Sequence, residues 1–222
     1  MEDTPAQLVS NAMIEKRYAL ITGASSGLGA EFAQQLAALG HPLILVARRE
    51  EKLAALASTL HEQYSVAVEV IAADLSQPDT PQKIATLCSA SGWQVEWLIN
   101  NAGVAGPDLL KDRDWSQQHA FYQLMMLSVA EMCHLFIPSM VEREQGRVIN
   151  IASVAARVPR SGGCNYGPAK AYVVALSEEL HLSVAGQGVN VTALCPGFTH
   201  TEFHETAGLM DMKNNMAKWL WY

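Results

Sequence analysis

The chain has 222 residues, of which 50% are hydrophobic and 17% are charged, and its formal net charge is −7. This length can bury one sizeable core, and the composition is typical of a soluble globular protein. The acidic balance argues against a broad nucleic-acid-binding face, although a local basic pocket for a small phosphate stays open. No uninterrupted apolar run reaches about 18 residues, so we expect no membrane-spanning segment.

Cysteine and histidine positions limit the remaining classes. The four cysteines, at positions 88, 133, 164 and 195, are widely spaced and form no Cys-x-x-Cys pattern, which is typical of free thiols in a reducing, cytoplasmic compartment. The seven histidines show no His-Glu-x-x-His or His-x-His spacing, so we expect no metal site. Residues 1–13 resemble a leader or tag remnant, and we expect them to be disordered or extended.

Short apolar runs alternate with helical patterns along the rest of the chain. Continuous runs of Val, Ile and Leu are typical of parallel strands that are covered on both faces. The alternation predicts an α/β fold with a doubly wound parallel sheet of Rossmann type, in three α/β/α layers. No repeat or linker divides residues 14–222, so we expect one domain. The predicted strands are 18–22, 42–47, 66–72, 95–99, 147–151 and 189–194, and the predicted helices are 30–39, 50–64, 81–90, about 114–143 and 166–185.

A glycine-rich turn follows the first predicted strand. It covers residues 22–29, and its sequence TGASSGLG has the spacing Gly-x-x-x-Gly-x-Gly. Gly23 permits a tight turn, while Gly27 and Gly29 let a pyrophosphate approach backbone N–H groups at a helix N-terminus, where the dipole favours anions. A plain strand-to-helix turn is the alternative. The position after the first strand favours dinucleotide binding, because ligands of such sheets bind beyond the carboxyl ends of the strands.

Two further strand ends carry residues suited to the adenosine part of a dinucleotide. Arg48 follows the second strand, where a basic residue accommodates the 2′-phosphate of NADP and an acidic one would hold the ribose of NAD. A surface arginine is the alternative. Asp74 closes the third strand, where it could accept a hydrogen bond from the adenine amine or could serve as a cap or turn residue. The sequence therefore predicts NADP(H) in preference to NAD(H).

Tyr166 and Lys170 form a Tyr-x-x-x-Lys pattern, which places both side chains on one helix face, one turn apart. An ammonium beside a phenol favours the phenolate, so it lowers the tyrosine pKa from about 10 toward the range of a general acid/base. Ser153 lies thirteen residues earlier, after the fifth strand, where its hydroxyl could hold a substrate oxygen. Such a pair on its own commonly marks a solvated helix face.

These motifs, with the Asn-Asn-Ala-Gly segment 100–103 and a Pro-Gly turn at 196–197, have the order and spacing of the short-chain dehydrogenase/reductases, which the chain resembles over roughly residues 17–205. The resemblance implies an oxidoreductase that transfers a hydride between NADP(H) and a small-molecule alcohol or carbonyl substrate. It implies that Tyr166 is the general acid/base, that Lys170 binds the nicotinamide ribose and depresses the tyrosine pKa, and that Ser153 positions the substrate oxygen.

The resemblance also implies a cofactor cleft and an assembly. Asn101 and Gly103 would shape the floor of the cleft, and the Pro-Gly turn and Thr201 would lie beside the nicotinamide and its phosphate. Subunits would pair through the helices predicted at 114–143 and 166–185, giving a homodimer, with a tetramer possible. The predicted cofactor-binding residues are Gly23, Ser25, Ser26, Gly27, Leu28, Gly29, Arg48, Asp74, Leu75, Asn101, Ala102, Gly103, Tyr166, Lys170, Pro196, Gly197 and Thr201.

Met125 departs from the family's pattern. It takes the place of the usual asparagine that completes a proton relay through water to the lysine, and a thioether cannot order water as an amide does. A backbone carbonyl there still could, so we expect weakened relay chemistry. The alternative is lost catalysis, which would leave a dinucleotide-binding sensor or scaffold.

The C-terminal sequence is the second departure. The family usually continues past the Pro-Gly turn with a further helix and a seventh strand, so we expect that strand to be missing. Residues 198–222 resemble part of a substrate-covering segment, or a hydrophobic stretch that docks on absent structure. The sequence leaves the substrate open, although the apolar character of the predicted pocket walls favours a hydrophobic carbonyl.

Overall fold

A six-stranded parallel sheet organises residues 17–158 and 165–197, which are the residues that the computed structural model describes. The strand order is β3-β2-β1-β4-β5-β6, and every neighbouring pair is parallel. The prediction of a doubly wound parallel sheet is confirmed. The strands are β1 (Arg17–Thr22), β2 (Leu43–Ala47), β3 (Val68–Ala72), β4 (Gln94–Asn100), β5 (Gly146–Ile151) and β6 (Val189–Leu194).

Helices connect successive strands and cover both faces of the sheet. The segment between β4 and β5 is one long helical stretch in which a π-helical turn, Gln123–Leu127, separates two α-helices. A short 3₁₀ helix, Val154–Ala156, follows β5. The α-helices are α1 (Gly27–Ala38), α2 (Glu50–Tyr64), α3 (Thr80–Ala90), α4 (Trp115–Tyr122), α5 (Ser128–Glu142) and α6 (Tyr166–Ser183).

The core explains why the strand sequences are continuously apolar. Alternate residues of β1 and β2 point to opposite faces, and both faces are buried under helices. One face packs on α1 and α2 through Ala19, Ile21, Leu43, Leu45, Ile99, Ala33, Leu36, Leu53 and Leu60. The other packs on α3 and α5 through Leu20, Ile44, Val46, Leu98, Val148, Ile84, Met132, Phe136 and Met140. These are the three layers that the sequence predicts.

The sheet places β1 beside β4 at its centre, with Ile21 opposite Ile99 in the register. The chain reaches β3 at one edge before it returns to β4 on the other side of β1. Strand order therefore reverses between β1 and β4, and a crevice opens beyond their carboxyl ends, where ligands of open α/β sheets bind.

The helical stretch Trp115–Glu142 is both long and apolar. An 18-residue window within it has a mean hydropathy of 1.6, so its length and composition would suffice to cross a membrane. It is the one helix among the described residues that meets those criteria. The sequence-based expectation considered only uninterrupted apolar runs and did not identify it. Core helices of soluble proteins have the same length and composition, and this one buries Met132, Phe136 and Met140 against the sheet.

Candidate active site

A cluster of hydrogen bonds around Thr22 joins the carboxyl ends of β1 and β4. The Thr22 hydroxyl oxygen accepts from the backbone N–H groups of Asn101 at 2.9 Å and Ala102 at 3.0 Å. The Asn101 amide Nδ2 donates to the carbonyl oxygens of Thr22 at 3.0 Å and Gly23 at 3.1 Å. The glycine-rich turn is therefore held rigidly against the segment that follows β4.

The glycines of this turn are required by space as well as by backbone angle. Gly23 has a φ of +64°, and a Cβ atom there would lie 2.8 Å from the Ala102 Cα. A Cβ at Gly29 would lie 2.4 Å from the Gly23 carbonyl oxygen. Ser26 is the N-cap of α1, yet its side chain makes no capping hydrogen bond to the helix. This fits a dinucleotide, whose phosphates bind uncapped N–H groups at a helix N-terminus.

Arg49, which sequence reasoning missed, reaches across the turn. Its Nε and Nη2 atoms donate to the Ser25 hydroxyl at 3.1 and 2.9 Å, and Nη2 also donates to the Ser26 hydroxyl at 2.8 Å. The predicted Arg48 lies next to it, and both arginines are exposed. The sequence signal for Arg49 was present, since two consecutive basic residues directly follow β2. The structure thus brings basic and hydroxyl groups together beside the first turn of α1.

Asp74 serves as a turn residue, which is one of the two roles that the sequence leaves open. Its Oδ1 accepts from the backbone N–H of Ser76 at 2.9 Å, and its carbonyl accepts from the Thr80 hydroxyl at 2.8 Å. The side chain of Leu75 is buried in the core. These contacts fix the loop after β3 at the same edge of the sheet as the glycine-rich turn.

Lys170 lies in the interior at the carboxyl end of β5. Its side chain is 5% exposed, and Nζ donates to the carbonyl oxygen of Ile151 at 2.6 Å. Nζ also lies 5.8 Å from the centre of the Tyr166 ring. Burial lowers the pKa of Lys170 from 10.5 to about 8, and the nearby Cys195 partly opposes this shift. At neutral pH Lys170 is therefore protonated in most molecules, so a positive charge lies beside the phenol.

Ser153 follows β5 on the same edge. Its hydroxyl oxygen accepts from the backbone N–H of Ala155 at 3.1 Å and so caps the short 3₁₀ helix. That contact uses an oxygen lone pair, so the hydroxyl hydrogen can be directed at another acceptor. The next residue, Val154, donates its N–H to the Pro196 carbonyl at 3.1 Å, which places the Pro-Gly turn beside Ser153.

Met125 lies within the π-helical turn and is 1% exposed. Its sulfur accepts from the backbone N–H of Val104 at 3.3 Å, and a Cβ at Gly103 would lie 3.3 Å from the same sulfur. Met125 and Tyr166 belong to one apolar cluster with Phe121. The thioether thus packs directly between the floor segment and the helix that carries the tyrosine.

The structure gathers the predicted motifs at one edge of the sheet, beyond the carboxyl ends of β1, β4 and β5. Thr201 and the proposed covering segment 198–222 lie outside the described residues. Within 17–158 and 165–197, no group of three His, Cys, Asp or Glu side chains is placed to hold a metal ion.

Residues 17–211 match the family model of the short chain dehydrogenases, and the chain belongs to this family. It is 35% identical over 185 residues to a sulfoacetaldehyde reductase of Chromohalobacter salexigens, a match that covers 82% of this chain and 72% of the relative. It is 32% identical over 206 residues to a serine 3-dehydrogenase of Agrobacterium fabrum, covering 90% and 79%.

Solved structures agree with this assignment. A short-chain dehydrogenase from Sphingobium yanoikuyae in complex with NADPH has a TM-score of 0.80 at 35% identity and covers 87% of this chain and 76% of its own. The L-sorbose reductase from Gluconobacter frateurii, complexed with NADPH and L-sorbose, has a TM-score of 0.80 at 27% identity, covering 93% and 78%. The protein is an NAD(P)(H)-dependent oxidoreductase that acts on alcohol or carbonyl groups.

The lowered pKa of Lys170 predicts a pH dependence of stability. The unfolded chain keeps the lysine proton up to its ordinary pKa of 10.5, whereas the folded protein loses it above about pH 8. Between these values the unfolded state binds more protons, so the wild type gains unfolding free energy relative to Lys170→Met as pH rises. A pKa difference of this size corresponds to about 3 kcal/mol at most.

Urea unfolding of both proteins without cofactor, followed by tryptophan fluorescence from pH 7 to 10.5, measures how the difference in their unfolding free energies changes with pH. Lys83→Met is the control, because Lys83 is an exposed lysine of α3 that pairs with Asp79, the residue before this helix. Parallel pH curves for the wild type and Lys170→Met would contradict the burial of a charged lysine.

Proposed function

We propose that this enzyme transfers a hydride between NADP(H) and a small carbonyl or alcohol, with Tyr166 as the general acid/base. The observation that carries the proposal is the position of Lys170, which the Ile151 carbonyl holds at 2.6 Å beside the Tyr166 ring. This pair lies at the same edge of the sheet as the glycine-rich turn. A charged amine in that place favours the phenolate, which is what a proton-transferring tyrosine requires.

The side chains of this chain would divide the proton chemistry among them. In carbonyl reduction negative charge grows on the substrate oxygen, and Ser153 would donate a hydrogen bond to it while Tyr166 supplies the proton. Lys170 would stabilise the phenolate that remains. In alcohol oxidation the same groups would act in reverse, with the phenolate as base. The nicotinamide, when bound, supplies or accepts the hydride.

The residues present fit such a cofactor. The close packing at Gly23 and Gly29 and the uncapped start of α1 support binding of the pyrophosphate. The Thr22–Asn101 cluster would keep the floor rigid, and Gly103 lies against the Met125 sulfur. The Pro196-Gly197 turn beside Ser153 would close the nicotinamide end.

Preference for NADP(H) is supported by the basic end of β2. A guanidinium forms strong paired hydrogen bonds to phosphate oxygens. Arg49 donates to the hydroxyls of Ser25 and Ser26, and Arg48 directly precedes it in the chain, so these cations and hydroxyls would converge on a 2′-phosphate. The Sphingobium and Gluconobacter structures, both determined with NADPH, are consistent with this choice.

A hydrophobic carbonyl is the substrate class that we favour. The segment that leads into α4 exposes large apolar side chains, with Leu110 71% and Trp115 63% exposed. The Trp115 ring lies 6.2 Å from that of Tyr122, whose hydroxyl accepts from Asn165, the neighbour of Tyr166. These contacts link the exposed Trp115 ring, through Tyr122, to the residue that precedes Tyr166.

Replacing Tyr166 by Phe removes the transferable proton and keeps the ring. We expect kcat for carbonyl reduction to fall by about 10²–10⁴-fold, the usual contribution of a general acid. The dissociation constant of NADPH, measured by fluorescence, should change little. Tyr172→Phe is the control, since Tyr172 lies on the same helix and packs in a separate apolar cluster. Near-normal turnover of Tyr166→Phe, or a wild type that binds NADPH and reduces none of a varied carbonyl panel, would refute the proposal.

The double variant Arg48→Ala/Arg49→Ala tests the cofactor preference. Loss of both guanidinium groups should weaken NADPH binding about tenfold or more while NADH binding changes little, because NADH lacks the 2′-phosphate. Isothermal titration with each cofactor measures the two constants. Lys83→Ala removes a distant positive charge as control. An equal loss of affinity for both cofactors would show that the arginines support the glycine-rich turn without binding the 2′-phosphate.

A homodimer through the long helical stretch and α6 belongs to the same proposal. Leu127 is 49% exposed in the middle of that stretch, and Leu182 is 75% exposed near the end of α6. We expect light scattering to give at least a dimer and Leu127→Arg to shift it toward monomer. Leu39→Arg, at a leucine after α1 that is 73% exposed, should leave the dimer intact. A monomeric wild type would contradict this assignment.

A further inference from the structure

A buried chain of side-chain hydrogen bonds links β4, β5 and α6. Asn100 Nδ2 donates to Asn150 Oδ1 at 2.8 Å, and Asn150 Nδ2 donates to the Ser177 hydroxyl at 2.9 Å. The Ser177 hydroxyl in turn donates to the Val173 carbonyl at 2.7 Å. The exposed fractions of the three polar side chains are 5%, 0% and 1%. We call this set the Asn100–Asn150–Ser177 chain.

Polar groups in such a place are stabilising only when their geometry is satisfied. An amide that is buried without a partner is destabilising, and apolar side chains could fill the same volume. The Cys133 sulfur packs beside the chain, 3.6 Å from Asn100 Nδ2 and 3.7 Å from Asn150 Oδ1. Burial raises the pKa of the Cys133 thiol to about 11, so the network is neutral. Directional bonds of this kind fix one orientation of the elements that they join.

Each member of the Asn100–Asn150–Ser177 chain lies on the same element as a residue of the candidate site or directly before one. Asn100 precedes Asn101, which bonds the carbonyls of the glycine-rich turn. Asn150 precedes Ile151, whose carbonyl holds Lys170. Ser177 lies seven residues after Lys170, about two turns along the same face of α6. The chain therefore connects the cofactor floor, the acceptor of the lysine and the helix that carries it.

We propose that the Asn100–Asn150–Ser177 chain is a positioning device that fixes the rotation and depth of α6 against β5. It keeps the Lys170 Nζ on the Ile151 carbonyl and so beside Tyr166. Asn150 and Ser177 are positioning residues, since they act through Lys170 and Ile151. The inference rests on the proposed function for its kinetic consequence.

Ser177, a member of the Asn100–Asn150–Ser177 chain, and Ser128, which lies outside it, form a matched pair of buried serines for testing this role. Ser177→Ala removes the acceptor of Asn150 Nδ2 and the bond to Val173. Ser128 is also buried, at 3% exposure, and its hydroxyl donates to the Leu124 carbonyl at 2.8 Å within its own helical stretch. Ser128→Ala therefore loses the same kind of bond to a carbonyl one turn back and keeps the contact between elements.

Two measurements separate positioning from simple stability. Hydrogen exchange on the cofactor-free protein should be about tenfold faster at residues 151–155 and 166–172 in Ser177→Ala, and unchanged there in Ser128→Ala. The pH profile of kcat should show a higher apparent pKa for the tyrosine step in Ser177→Ala, with kcat about tenfold lower, because a displaced ammonium stabilises the phenolate less.

The outcomes are distinct. Faster exchange and a shifted pH profile in Ser177→Ala alone support the proposal. If both variants lose thermal stability but keep the wild-type exchange rates and pH profile, the chain is only structural and the proposal is overturned. If the wild type reduces no carbonyl, the proposed function fails, while the exchange contrast between Ser177→Ala and Ser128→Ala still decides whether the chain positions α6.

Discussion

The bond between the Lys170 ammonium and the Ile151 carbonyl is the interaction on which the candidate site depends. A lysine that is only 5% exposed loses nearly all of its hydration, and a charged group in that state must find a polar partner. The last carbonyl of β5 provides that partner at 2.6 Å. Because β5 is paired with a strand on each side, its end is rigid. The charge is therefore fixed in place, and the ring of Tyr166 lies beside it.

The rest of the architecture brings a second rigid edge to the same place. Reversal of the strand order between β1 and β4 opens the crevice. The Thr22–Asn101 hydrogen bonds join the ends of these two strands at its base. Gly23 and Gly29 allow this close approach, since any side chain there would collide with backbone. The glycine-rich turn and the Tyr166–Lys170 pair are thereby held on one scaffold, which is the arrangement that the proposed hydride and proton transfer requires.

Sequence reasoning identified those features that depend on local pattern. Strand and helix order follows from apolar runs and periodicity, and the motif residues at strand ends follow from where parallel strands terminate. Contacts between side chains distant in sequence were not accessible in this way. Arg49 is one example, since its partner Ser25 lies 24 positions earlier. The bond from Asn150 to Ser177 is another, and so is the sulfur contact that places Met125 against Val104. The π-helical turn around Met125 was also missed, because its apolar residues continue the helical pattern.

A crystal structure of the enzyme with NADP⁺ bound tests the account most directly, because it places the phenol relative to the reacting carbon. We expect the Tyr166 hydroxyl to face the nicotinamide C4 across the space beside Ser153, with Lys170 still bonded to the Ile151 carbonyl. A hydroxyl directed away from the nicotinamide, or a Lys170 withdrawn from Ile151 into solvent, would contradict it.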